Sequence, residues 1–235
     1  MNLVLLFSED FVDERRVVIT GRRFVHINEI HRASVGDRLV VGLAEGRIGA
    51  GVVTRIESTS LEMVVELDSD PPPPLPLSLL LALPRPKMLS RVIETATAMG
   101  VKTLFLINSA RVEKSFWQSH QLRDDILRSH LTLGLEQAKD TRFPRIQLRK
   151  QLRSFLEDEL PAVIEGTSCL VAHPDALADC PRKVDGPVTL AIGPEGGFLD
   201  SEIAMFEAIG FAPVNLGRRI LRVESVIPAI LGRLF

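Results

Sequence analysis

Three short segments of this chain combine residue types that can do chemistry: His173-Pro174, the run GPEGGF from Gly193 to Phe198, and LGRRILRVES from Leu216 to Ser225. Each follows an apolar, strand-like stretch, and in open parallel α/β sheets ligands gather at the carboxyl ends of strands. Gly193, Gly196 and Gly197 put three residues without a Cβ into five positions, so the backbone there can approach a ligand closely. The same spacing equally suits a plain tight turn. Phosphate cradling is disfavoured, because a P-loop needs Lys and Ser or Thr directly after its last glycine, whereas Phe198 and Leu199 follow here. The GxGxxG dinucleotide pattern is not met either. A glycine-rich loop without a cation fits a ligand that is itself positively charged and is held by backbone, such as a sulfonium.

These segments need a scaffold, and the pattern upstream of them supplies one. From Leu77 onward apolar runs alternate with helical periodicity, the mark of an α/β domain on parallel strands. Strands are predicted at Leu77 to Leu83, Thr103 to Ile107, Cys169 to Ala172, Val188 to Ile192 and Pro213 to Leu216. Helices are predicted over Met88 to Met99 with Gly100 as terminator, Gln118 to Ala138, Arg149 to Glu165, and Ser201 to Ile209 capped by Asp200. Before that region stand Pro71 to Pro74 and Pro76, a stiff stretch that neither a helix nor a central strand accommodates. The expected organisation is therefore a small β domain over residues 1–70, a Pro-rich linker over 71–76, and an α/β domain over 77–235. Short β-rich segments (Leu3 to Phe7, Val17 to Thr20, Arg38 to Leu43, Gly49 to Ile56, Leu61 to Glu66) make the first domain a candidate barrel.

Composition narrows the setting. With 46% hydrophobic and 25% charged residues the chain is an ordinary folded protein. The five apolar residues Leu3 to Phe7 are too few for a secretory signal, no run approaches a membrane span, and Cys169 and Cys180 lack metal-ligand company, so a cytoplasmic protein without a metal site is expected. A net charge of −2 argues against bulk nucleic-acid binding, but Arg111 to Arg153 carries ten basic against five acidic residues. A solvated helix face accounts for the same excess. Without tyrosine and with one tryptophan, an RRM-like stacking platform is not expected as a main RNA-binding device.

GPEGGF, Glu202 a few residues on, and LGRRILRVES ahead of a last helix together resemble the signature of the trefoil-knotted SPOUT methyltransferases, in the branch that methylates N3 of a uridine in 16S ribosomal RNA. HINEIHRASVGDRLVV from His26 is similar to that family's N-terminal PUA-like β-barrel, and KMLSRVIETATAMGV from Lys87 and EQAKDTRFPRI from Glu136 to its central blocks. The chain departs from the pattern at Ala98 or Met99, where an acidic residue is usual, at Ser225 and Val226, and at Pro228. If the last helix begins near Ser225, Pro228 falls in its first turn at little cost.

The resemblance implies a knotted parallel-sheet domain that binds S-adenosyl-L-methionine, a homodimer formed through that domain, and 16S ribosomal RNA of the small subunit as partner. The cofactor would be held by Ala172, His173, Gly193, Glu195, Gly196, Gly197, Leu216, Gly217, Ile220 and Leu221. Uridine N3 loses a proton as it is methylated, so a cation must stabilise charge on O2 and O4, with Arg222 as first and Arg142 as second candidate. Glu224 or Glu195 can accept the proton, and each equally suits a structural role, as helix cap or as loop brace. Arg15, Arg16, Arg22 and Arg23 in the barrel, with Lys139 and Arg145, are the candidate phosphate contacts. Two alternatives remain at this level: a related SPOUT enzyme acting on a ribose 2′-hydroxyl or another base, and a non-catalytic RNA-binding module.

Overall fold

The computed structural model describes residues 2–235 and divides into two compact units, one of Met1–Pro73 with Thr132–Phe143, the other of Pro74–Leu131 with Pro144–Phe235. The division of the chain falls inside the proline run. The return of Thr132–Phe143 to unit 1 has no counterpart in the sequence pattern, and it splits the helix Asp124–Ala138 between the units.

Unit 1 is built on five strands, β1 (Val4–Leu6), β2 (Arg16–Thr20), β3 (Arg38–Leu43), β4 (Ile48–Ile56) and β5 (Ser60–Ser69), in the order β1-β3-β4-β5-β2. All pairings are antiparallel except that of β1 with β3. Alternation along β5 turns Leu61, Met63 and Val65 inward, where they meet Val17 and Ile19 of β2. β1 and β2 remain unpaired edges, so the sheet is a half-barrel and not the closed barrel expected. The helix Gly21–His26, which continues as a π-helical turn Ile27–His31, inserts Phe24 and Ile27 into the core. On the other side Leu135 packs on Leu3 and Leu5.

Unit 2 carries six parallel strands, β6 (Leu77–Ala82), β7 (Thr103–Ile107), β8 (Arg145–Arg149), β9 (Ser168–Ala172), β10 (Val188–Ile192) and β11 (Ala212–Val214), ordered β11-β9-β10-β6-β7-β8. β10 is buried along its whole length, as a central parallel strand covered on both faces must be. From β6 the chain winds outward through β7 to β8, then crosses to the far side for β9 and returns to fill the place between β9 and β6 with β10. The winding direction reverses there, which opens a crevice at the carboxyl ends.

Several boundaries correct the sequence-based expectation. β8 was not expected, and the helical segment that follows it starts at Leu152, not Arg149. Asp200 is the first residue of the helix Asp200–Ala208 and not its cap; Leu199 holds the cap position, and its amide donates to Glu202 Oε2 at 2.9 Å. The last helix, Val223–Leu234, begins two residues earlier than expected, so Pro228 stands inside it. The Glu224 carbonyl therefore lacks its usual amide donor, a defect that costs about 3 kcal/mol in a helix interior. Among the described residues no helix is long and apolar enough to cross a membrane.

Candidate active site

β9, β10 and β11 each run directly into a loop, and the three loops enclose a cavity of about 350 Å³, within the usual range for a small-molecule site. The strand ends supply apolar walls from Ile192 and Val214, and Phe198 and Val226 close the sides. Gly193 is tightly packed: a Cβ there would lie 3.0 Å from the Phe198 amide nitrogen, so the loop would have to shift by a few tenths of an ångström to take one. Gly217, with φ +108°, turns the chain through a conformation that L-residues rarely adopt.

The walls are held from behind by side-chain hydrogen bonds to backbone. Asn215 donates through Nδ2 to the Ala176 and Ala178 carbonyls at 2.8 and 3.0 Å and accepts from the Gly217 amide at 2.8 Å, so one amide group ties the β9 loop to the β11 loop. Buried Glu202 accepts from the Ala110 amide at 2.8 Å as well as from Leu199, which fastens the segment after β7 to the end of the glycine loop. Glu195 Oε1 accepts from the Arg85 amide at 3.1 Å, and Arg111 Nη1 donates to the Gly196 carbonyl. Among the described residues no carboxylate lies within ion-pair distance of Arg219 or Arg222, and both face the cavity. The result is a mostly apolar chamber lined by backbone with a cationic rim.

All ten residues expected around a cofactor, Ala172, His173, Gly193, Glu195, Gly196, Gly197, Leu216, Gly217, Ile220 and Leu221, line this cavity, and so does Arg222. Glu224 does not; it sits in the first turn of the last helix and makes no side-chain cap bond. Arg142 belongs to unit 1 and is not a lining residue. Arg145 opens β8 and so stands at the amino edge of the parallel sheet, opposite the cavity edge. Lys139 is exposed in unit 1 in a left-handed conformation (φ 55°).

The arginine pairs of unit 1 are not four free cations. Arg23, 14% exposed, forks onto Asp10 at 2.5 and 2.7 Å and donates to the Leu5 carbonyl, so it braces the core of unit 1. Arg22 pairs with buried Glu136 at 2.8 Å, Arg16 with Asp13 at 2.6 Å, and Arg15 loosely with Glu66 at 3.9 Å. Sequence reasoning missed Asn215 and Arg219 in the cavity lining, and Arg111 against the Gly196 carbonyl. A polar amide directly after an apolar strand was the available signal for the first.

A family model described as RNA methyltransferase domain matches residues 71–234. The ribosomal RNA small subunit methyltransferase E of Treponema pallidum is 29% identical over 231 residues, covering 96% of this chain and 87% of that protein. The protein of the same name from Mycobacterium bovis is 26% identical, with 99% and 91% covered. Among solved structures, a ribosomal RNA small subunit methyltransferase E from Neisseria gonorrhoeae bound to S-adenosyl methionine shares the fold, with a TM-score of 0.74 at 18% identity over 97% of this chain and 95% of that one.

Proposed function

This chain belongs to the RNA methyltransferase domain family, and from that premise we propose that it moves the methyl group of S-adenosyl-L-methionine to N3 of one uridine in 16S ribosomal RNA. The observation that carries the reading is the glycine-walled cavity at the ends of β9, β10 and β11. The near full-length likeness to proteins named small subunit methyltransferases supports the substrate, and the fold shared with a cofactor-bound enzyme supports the cofactor. In this reading the protein works in the cytoplasm.

The residues present fit the cofactor. A chamber of about 350 Å³ with apolar walls and open backbone at Gly193, Gly197 and Gly217 suits adenine and ribose. Leu216, Ile220 and Leu221 complete that hold, while Ala172, His173, Glu195 and Gly196 border it. When bound, S-adenosyl-L-methionine supplies an electrophilic methyl group. The protein's part is to orient the base and manage its N3 proton. Arg222 at the rim stabilises the negative charge that builds on O2 and O4, a role a preorganised cation fills best where water is excluded. Of the two carboxylates that compete for the proton, Glu195 borders the cavity and Glu224 does not. Glu195 Oε1 is committed to the Arg85 amide, which leaves Oε2 as acceptor.

The reading includes a trefoil knot and a homodimer through unit 2. Amides of Lys183 and Val184 bond to the Arg233 and Leu234 carbonyls, which closes the β9–β10 connection against the last helix and supports the knot. Leu177, fully exposed, and Ile220, 85% exposed, support a partner subunit over unit 2. Unit 1 is read as a PUA-like RNA-binding module, with Arg15, Arg16, Arg22 and Lys139 as its exposed candidate contacts. The test is incubation of the protein with labelled S-adenosyl-L-methionine and small subunits from cells lacking the gene, followed by nucleoside analysis. Label in 3-methyluridine is the expected result; label in a 2′-O-methyl nucleoside, or none, overturns it.

A further inference from the structure

The carboxyl edge of unit 2 does not end at the cavity. Arg85 follows β6, Arg111 follows β7 and Lys150 follows β8, so three exposed cations stand on neighbouring strand ends. Among the described residues no carboxylate oxygen lies within 4.0 Å of the charged side-chain nitrogens of any of the three. Neighbouring strands lie about 4.8 Å apart, which puts the end of β8 roughly 14 Å from the end of β10. Two of these cations are held in place. Arg111 donates to the Gly196 carbonyl, and its stem covers that residue so closely that a Cβ on Gly196 would meet Arg111 Cδ at 3.1 Å. Lys150 Nζ lies 5.7 Å from the centre of the Trp117 ring. Trp117 is itself pinned, donating from Nε1 to Asn108 Oδ1 at 2.9 Å, and the Asn108 amide bonds to the Arg149 carbonyl at 3.0 Å.

We propose that Arg111 and Lys150 are phosphate-binding residues that seat the RNA strand beside the target base, along a track leading from the cavity mouth to the end of β8. Methylation on a pairing edge requires a base out of its duplex, so the strand reaching the cavity is single. Such a strand is held through its backbone by a positive groove. Side chains already fixed lose less freedom on binding than mobile ones, and cations without a carboxylate partner surrender no ion pair to a phosphate. Trp117 is a positioning residue, since it acts by placing the Lys150 ammonium.

The inference rests on the methyltransferase reading, and its test separates the two. Binding of labelled oligouridylate to full-length protein is measured against salt, alongside calorimetry with S-adenosyl-L-methionine, for the wild type, Lys150→Gln and Arg111→Gln. Each phosphate contact on a single strand contributes about 0.7 to the slope of log affinity against log salt, so each variant is expected to lose about that much and bind on the order of threefold more weakly at low salt. Lys150→Gln, which touches no cavity residue, is expected to keep the cofactor affinity. Unchanged slopes in both variants overturn the track, as does a wild type that does not bind the oligonucleotide. A wild type that binds RNA with this salt dependence but takes up no cofactor sinks the methyltransferase reading and leaves the track standing.

Discussion

Six of the eight arginines in residues 1–70 are paired with carboxylates, whereas five cations along the carboxyl edge of unit 2 are not. In unit 1, Arg15, Arg16, Arg22, Arg23, Arg47 and Arg55 each face a carboxylate, and those charges are spent within the unit. Along the carboxyl edge of unit 2, Arg85, Arg111, Lys150, Arg219 and Arg222 have no such partner among the described residues. A net charge of −2 therefore says little about nucleic-acid binding. An anionic ligand reads the charges left over at one edge, within about a Debye length, and not the sum over the chain.

The largest effect should come from the cavity rim. Arg222→Ala is expected to lower kcat by roughly 10²–10³ while cofactor affinity stays nearly constant, because the charge it meets exists only in the transition state. Calorimetry and single-turnover rates check it. Equal losses in affinity and rate would make Arg222 a binding residue and blur the contrast between a rim that does chemistry and a unit whose arginines only brace.

Next comes the brace itself. Asp10 is 7% exposed and takes both branches of the Arg23 fork, so Arg23→Ala strands a buried carboxylate. The expected cost is about 3 kcal/mol of stability, seen as a lower denaturation midpoint, with unchanged oligouridylate affinity in the protein that remains folded. Weaker RNA binding without loss of stability would return Arg23 to the set of substrate contacts.

Arg22 should show a smaller effect that depends on pH. Burial pushes the Glu136 carboxyl upward, and the Arg22 guanidinium opposes that push. A carboxyl raised on folding favours the folded state most below its ordinary range, and that contribution is lost as pH rises through the folded value. Removing Arg22 leaves the push unopposed. Arg22→Gln is therefore expected to cost about 2 kcal/mol at pH 8 and clearly less at pH 5, measured by urea denaturation at each pH. A pH-independent loss would show that the pair matters only through packing.

The cavity was legible in the sequence because its parts are contiguous: the Gly193–Phe198 and Leu216–Arg222 segments each carry their own backbone requirement, and the loop after β9 adds Ala172 and His173. What was not legible depends on contacts across the chain. Nothing local marks Thr132–Phe143 as part of unit 1; it belongs there because Leu135 packs on Leu3 and Leu5, and because the Glu136 carbonyl accepts from the Asn2 and Leu3 amides. A cut at residue 70 would uncover that face. RIQLR gave no clear strand signal because its two apolar residues sit between arginines and lead straight into a helical pattern. Arg23 looked like a surface cation since its partner, Asp10, is 13 residues away.

The smallest effect is expected where the comparison is most exposed to failure. Arg15 and Arg16 lie on the surface of unit 1, and surface ion pairs such as theirs contribute only about 0–1 kcal/mol, so little energy keeps them from exchanging a carboxylate for a phosphate. The neighbourhood opposes that exchange: residues 1–70 carry 12 acidic and 8 basic side chains, and a phosphate approaching there meets Asp13 and Glu66 as well as the arginines. The combined Arg15→Gln and Arg16→Gln variant should therefore leave KM for small ribosomal subunits within about twofold of wild type, less than the loss of a single contact on a single strand between 50 and 200 mM salt. Steady-state methyl transfer at two salt concentrations decides it. A tenfold rise in KM at low salt that shrinks as salt is raised would mean that these ion pairs open on the substrate and that unit 1 supplies the main phosphate contacts. The edge of unit 2 would then guide only the last nucleotides into the cavity.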